Sequence, residues 1–117
     1  MSAIFDFPKM VREYEAGHDK VFRKAPAVLF VYAPEKNQMA NIDCISALSY
    51  FDLIAQNLGL GCCWCGFALI AATTFTPMIE YLRIPDKQRV YGCLLVGNPR
   101  YKYQRFPERK YPDIAWL

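Results

Sequence analysis

Hydrophobic and polar positions alternate along this chain in blocks of different period. Over residues 7–24, Val11, Tyr14 and Val21 fall on one side, with Lys9, Arg12, Glu13 and Lys20 on the other. That spacing predicts a helix whose apolar residues face inward. Pro8 suits its first turn, Gly17 splits it, and Pro26 ends it. Residues 27–32, Ala-Val-Leu-Phe-Val-Tyr, form a short apolar run between Pro26 and Pro34, which predicts a buried strand. After a polar loop over 35–40, Asn41 is placed to cap a helix running to about Leu58. Ile45, Leu48, Phe51, Ala55 and Leu58 make one stripe of that helix, and Ala47, Tyr50, Leu53 and Ile54 lie off it. A helix apolar nearly all round is expected to be central and packed on several sides. Gly59 and Gly61 should end it.

Residues 62–65 are expected to form a strand or extended turn before Gly66. Thr76-Pro77 opens a short helix through Leu82, with Thr76 as its cap and Pro77 at its first position. Residues 84–87 read as a turn. Residues 89–96 read as a second clear strand, closed by Gly97-Asn98-Pro99. Prolines at 99, 107 and 112 make residues 98–117 an extended arm rather than a helix. The chain has no internal repeat and no low-complexity tract.

With 117 residues, this is one small domain with a single core. Hydrophobic residues make up 54% and charged residues 21%, which excludes a disordered chain. The net charge of +3 sits entirely in the tail: Arg100, Lys102, Arg105, Arg109 and Lys110 stand there against Glu108 and Asp113. A local basic tail suits one anionic group and not a nucleic-acid footprint. No charged residue lies between Asp52 and Glu80, but Gln56, Asn57, Gly59, Gly61, Gly66 and Pro77 within that stretch argue for a buried core and against a membrane span. The start of the chain has no secretory pattern. Five cysteines then read as free thiols in a reducing cytoplasm.

Cys62 and Cys65 have dithiol spacing, but they follow a helix, and in an extended segment they point to opposite faces. His18 is the single histidine, too few for a metal set or for a nucleophile–base pair. The cysteines are therefore expected to be small buried side chains. Asp43 and Asp52 are expected as a cap and a polar contact.

Three pieces occur in a fixed order. Residues 25–31 form the first strand. The central helix runs into Leu58-Gly59-Leu60-Gly61-Cys62-Cys63-Trp64-Cys65-Gly66. Leu82-Arg83-Ile84-Pro85 then leads to a strand that ends in Val96-Gly97-Asn98-Pro99 and the basic arm. This order resembles the second half of the FMN-dependent nitroreductase family, in particular its ferredoxin-linked subgroup, over roughly residues 25–112. The resemblance implies an α+β fold, partial, with a central buried helix packed on a small, mainly antiparallel sheet. Residues 1–117 would be a single partial domain. The glycine turn has a physical sense of its own: glycine lets backbone N–H groups approach the edge of a planar cofactor.

By resemblance, Trp64, Cys65, Gly66 and Phe67 line the flavin edge. Arg109 meets the FMN phosphate, with Arg105 and Lys110 beside it. The implied activity is two-electron transfer from NAD(P)H or another reduced donor, through FMN, to nitro compounds, quinones or similar acceptors. The family's site lies at a homodimer interface, and its arginine- and serine-rich first FMN element has no counterpart in residues 1–24. A homodimer or a complementary subunit is therefore expected. Two other readings stay open: a non-catalytic remnant that pairs with another subunit, and a small binding module that uses the basic aromatic arm.

Overall fold

The computed structural model describes residues 6–102, 104–105 and 108–116, except for the side chain of Phe7. The elements follow the order α1 (Phe7–Glu15), β1 (Ala27–Pro34), α2 (Ala40–Asn57), β2 (Gly61–Trp64), α3 (Gly66–Thr74), α4 (Thr76–Leu82) and β3 (Gln88–Gly97). The three strands form one antiparallel sheet in the order β1-β3-β2. Val28 pairs with Leu95 and Phe30 with Cys93, while Cys62 pairs with Val96 and Cys63 with Leu95. The register shifts between Val31 and Tyr32. The expected α+β arrangement, a long helix on a small antiparallel sheet, is present.

The pleat sends alternate residues of β3 to opposite faces. Cys93 and Leu95 join Cys65, Ala68, Val28, Phe30, Leu69, Val21, Phe22 and Ala25 in one cluster under α3. On the other face, α2 packs against all three strands. Gly92 is required there: a Cβ at this position would press on the Leu48 side chain and on Val31. The long helix ends as expected, in a Schellman motif. Leu60 N–H bonds Ala55 O at 2.8 Å, Gly59 N–H bonds Gln56 O at 3.1 Å, and Gly59 takes a left-handed φ of +73°.

Four sequence expectations need correction. The first helix stops at Glu15, not at residue 24. Gly17 is left-handed, and the Asp19 carboxylate accepts the N–H groups of Val21, Phe22 and Lys24, so the chain turns there instead of continuing helically. Val11 and Tyr14 are exposed on the rim of an apolar groove, not buried. Asn41 does not cap α2, because Asn37 forms the turn first by accepting the Met39 N–H at 2.9 Å, and the helix begins at Ala40. Thr76 is not a cap either: the extended residue Phe75 separates α3 from α4, and Thr76 is already helical.

The central helix packs on one side only within this chain. Leu48, Cys44 and Ala55 are buried, whereas Ile42, Tyr50, Leu53 and Leu58 are exposed. The chain exposes 10367 Å² for 13.5 kDa, against about 6,500 Å² for a compact monomer of that mass. Its radius of gyration is 17.2 Å, against about 13 Å for a compact domain of this length. No helix of the described residues is long and apolar enough to cross a membrane.

Candidate functional site

β2 runs past its last residue into the head of α3, and this junction builds the site. The Cys65 N–H bonds Cys93 O at 3.1 Å, which holds the chain on the sheet for one more residue. The Cys65 carbonyl then accepts the Leu69 N–H at 3.2 Å and starts the helix. Among the described residues no side chain caps α3, so the positive end of its helix dipole faces outward at Gly66. A Cβ built on Gly66 would meet nothing within 4 Å, so the space before this backbone is open.

That space is a cleft of about 300 Å³ lined by Lys20, Val21, Arg23, Cys63, Trp64, Cys65, Gly66, Phe67, Ile70 and Leu95. Its volume is at the low end for small-molecule sites. The four residues that the resemblance implied, Trp64, Cys65, Gly66 and Phe67, line this one cleft. Arg105 and Arg109 do not join them. Both are exposed, as is Lys110, on a tail whose described residues form neither helix nor strand. Among those residues Arg100 lies over the Tyr101 ring, 5.6 Å from its centre.

Lys20, Val21 and Arg23 reach the cleft from a segment that the sequence pattern assigns to a helix. Asp19 organises this loop. Burial pushes the Asp19 carboxyl up, but the N–H groups of Phe22, Lys24, Val21 and Arg23 outweigh it and hold it below its ordinary 3.8. Arg23 and Lys24 both take left-handed backbone, with φ of +53° and +56°, an uncommon pair for non-glycine residues. The Cys65 thiol donates to Val21 O at 3.6 Å and ties the loop to the head of α3. Lys20 Nζ lies 2.9 Å from the Glu13 carboxylate, and this bond holds the Glu13 carboxyl below its usual value. The one signal for this loop in the sequence was Asp19, placed to accept from N–H groups two to five residues on.

Cys93, Cys62 and Cys44 are not poised for nucleophilic work. Burial pushes Cys93 up to about 12, with Cys65 beside it adding to the rise. Burial also raises Cys62, helped by the neighbouring Asp52, and raises Cys44, helped by Asp43. The three thiols that shift all move away from the reactive thiolate. Cys62 lies beside Asp52 and Cys65 beside Cys93 on the opposite face of the sheet, so the two do not act as a dithiol. Among the described residues no group of three or more His, Cys, Asp or Glu is placed to hold a metal. The donor set thus fits a planar ring with hydrogen-bond acceptors along its edge: backbone N–H groups at an open helix head, apolar walls and cations, with no acid–base pair.

The family model for the nitroreductase family matches residues 4–98. No curated protein matches the chain. Among solved structures, the chain is similar to an FMN-bound nitroreductase from Bacteroides fragilis NCTC 9343. The TM-score is 0.69 and the identity 24%, over 98% of this chain and 63% of the other. It is similar to an FMN-dependent nitroreductase from Clostridium difficile R20291, with TM-score 0.56 and identity 26%, over 74% of this chain and 53% of the other. It also resembles iodotyrosine deiodinase bound to FMN and 3-iodo-L-tyrosine, with TM-score 0.62 and identity 19%, over 96% of this chain and 59% of the other. The chain spans between 53% and 63% of the length of these three proteins. The shared fold and the family match, which takes in the sheet, all four helices and the glycine turn, make this chain a member of the nitroreductase family.

Proposed function

We propose that this chain forms part of an FMN-dependent oxidoreductase site, with the flavin edge against Trp64, Cys65, Gly66 and Phe67. The observation that carries this reading is the open, uncapped head of α3 in front of Gly66, in the same cleft as Lys20 and Arg23. When bound, the cofactor supplies two-electron transfer from a reduced donor, a nicotinamide or another reductant, to a nitro compound, quinone or similar acceptor. The chain's own residues bind and orient. The positive end of the α3 dipole favours negative charge at the ring edge. The walls of Trp64, Phe67 and Ile70 limit water. Arg105 and Arg109 serve the phosphate from the arm.

Partnership belongs to the same reading. The apolar outer side of α2 supports a site completed by a second copy or by a complementary subunit, which would cover that side.

Gly66→Leu tests the assignment. A Cβ at this position meets nothing within 4 Å, so the new side chain extends into the cleft. The melting temperature should stay at or above that of the wild type, since leucine is the better helix former. Riboflavin and FMN affinity should both fall by at least about tenfold, equivalent to about 1.4 kcal/mol. Unchanged flavin affinity in Gly66→Leu would move the ring away from α3.

A further inference from the structure

A second cavity of about 270 Å³ adjoins the flavin cleft. The two share Arg23, Cys63 and Leu95. Together they form a trench along β2, from Gly66 and Phe67 at one end to Gly61, Gly97 and Asn98 at the other. β2 has four residues, which at roughly 3.3 Å each gives about 13 Å of trench floor. Lys24 joins Arg23 at the far end.

The charge along this trench is one-signed. Among the described residues, no carboxylate lines either cavity. Lys20 is paired with Glu13, and the Asp19 carboxylate is taken up by backbone N–H groups. Among the described residues, Arg23 and Lys24 have no ion-pair partner. Two exposed cations and the side-chain amide of Asn98 therefore border a concave space with no anion to neutralise them. The guanidinium fork of Arg23 matches a phosphate in geometry, and Lys24 adds a point charge.

We propose that Arg23 and Lys24 receive the phosphate of FMN at the far end of this trench, while the ring edge lies at the head of α3. The proposal rests on the flavin reading of the cleft. It adds a phosphate contact within the body of the chain to the one assigned to the arm. A phosphate has three acceptor oxygens and accommodates both.

The test is a binding titration with FMN and riboflavin, read by flavin fluorescence, on the full chain without turnover. The wild type should bind FMN more tightly than riboflavin. Arg23→Gln, and Arg23→Gln with Lys24→Gln, should lower FMN affinity by about tenfold to a hundredfold, the usual range for a lost charge-assisted contact. Riboflavin affinity should not change, and Arg23→Lys should keep part of the FMN preference. Arg109→Ala, run beside them, measures the arm's share. If Arg23→Gln with Lys24→Gln keeps the wild-type ratio of FMN to riboflavin affinity, the proposal is wrong and the flavin reading survives. If both flavins weaken equally, the loop acts through the fold and the proposal is again wrong. If the wild type binds neither flavin, the flavin reading fails and takes the proposal with it.

Discussion

Leu48 and Leu53 lie on the same helix, five residues apart, in equally apolar surroundings. Leu48 is 2% exposed, pressed against Gly92 and the sheet, and Leu53 is 68% exposed. The inner side of α2 is finished by this chain, and the outer side is not. The difference shows that apolar character all round a helix does not by itself mean burial in the chain that carries it. The chain spans only 53% to 63% of the length of its solved relatives.

Truncating both leucines breaks or sharpens this contrast. Leu48→Ala should destabilise the protein by about 2–5 kcal/mol, the range for a buried leucine that leaves a cavity. Leu53→Ala in the dissociated chain should change stability by no more than about 0.5 kcal/mol. Urea denaturation at several protein concentrations separates the two effects. If Leu53 lies in an association interface, its effect should grow with concentration while that of Leu48 stays constant. Equal effects at low concentration would mean that the outer side of α2 is already covered within one chain.

Both strands, the long helix and its glycine end were legible because each is written in local signals. The run of residues 27–32 has strand composition, and Gly59 supplies the left-handed residue that a Schellman motif needs. The four residues that the family resemblance implied, Trp64, Cys65, Gly66 and Phe67, line one cleft because they are consecutive at the β2–α3 junction. α3 was not legible. Gly66–Thr74 is apolar on every side, so it has no period that distinguishes a helix. Lys20 and Arg23 were missed for a different reason. They reach Trp64 across more than forty residues of sequence, through a loop whose helical spacing is overridden by the Asp19 carboxylate.

The two faces of the sheet also differ in their thiols. On the face under α3, Cys93 is 1% exposed and stays protonated up to about 12, against an ordinary 9.0. A raised acid contributes stability that is complete below the unfolded value and is lost as pH rises towards the folded one. The denaturation midpoint should therefore fall between about pH 9 and pH 12. Cys93→Ala should flatten that slope at a smaller cost in neutral solution than Leu48→Ala, because it removes one sulfur and not a branched side chain. An unchanged alkaline slope in Cys93→Ala would show that another group controls it.

A further contrast concerns the loop that brings the cations to the cleft. Asp19 uses Oδ1 for the N–H groups of Val21 and Phe22, and Oδ2 for that of Lys24. Asparagine keeps one acceptor oxygen and offers an NH₂ group where Oδ2 stood, so Asp19→Asn loses the bond to Lys24 and the negative charge. Asp19→Ala loses all three bonds. At pH 6 the losses should rank Ala above Asn, with Ala near about 1 kcal/mol, as for the removal of a helix cap. The folded Asp19 carboxyl lies below 3.8, so its contribution is present above that value and disappears as pH falls through the folded one. The stability gap between wild type and Asp19→Asn should hold from pH 6 to about pH 4 and then close. Glu13 also titrates in acid, with its carboxyl held low by Lys20, but it is present in both proteins and cancels in the difference. A gap that stays constant down to pH 2 would mean that Asp19 organises the loop by shape alone. Arg23 and Lys24 would then owe their left-handed backbone to the packing of Val21 and Phe22 against Cys65, and not to the carboxylate beneath them.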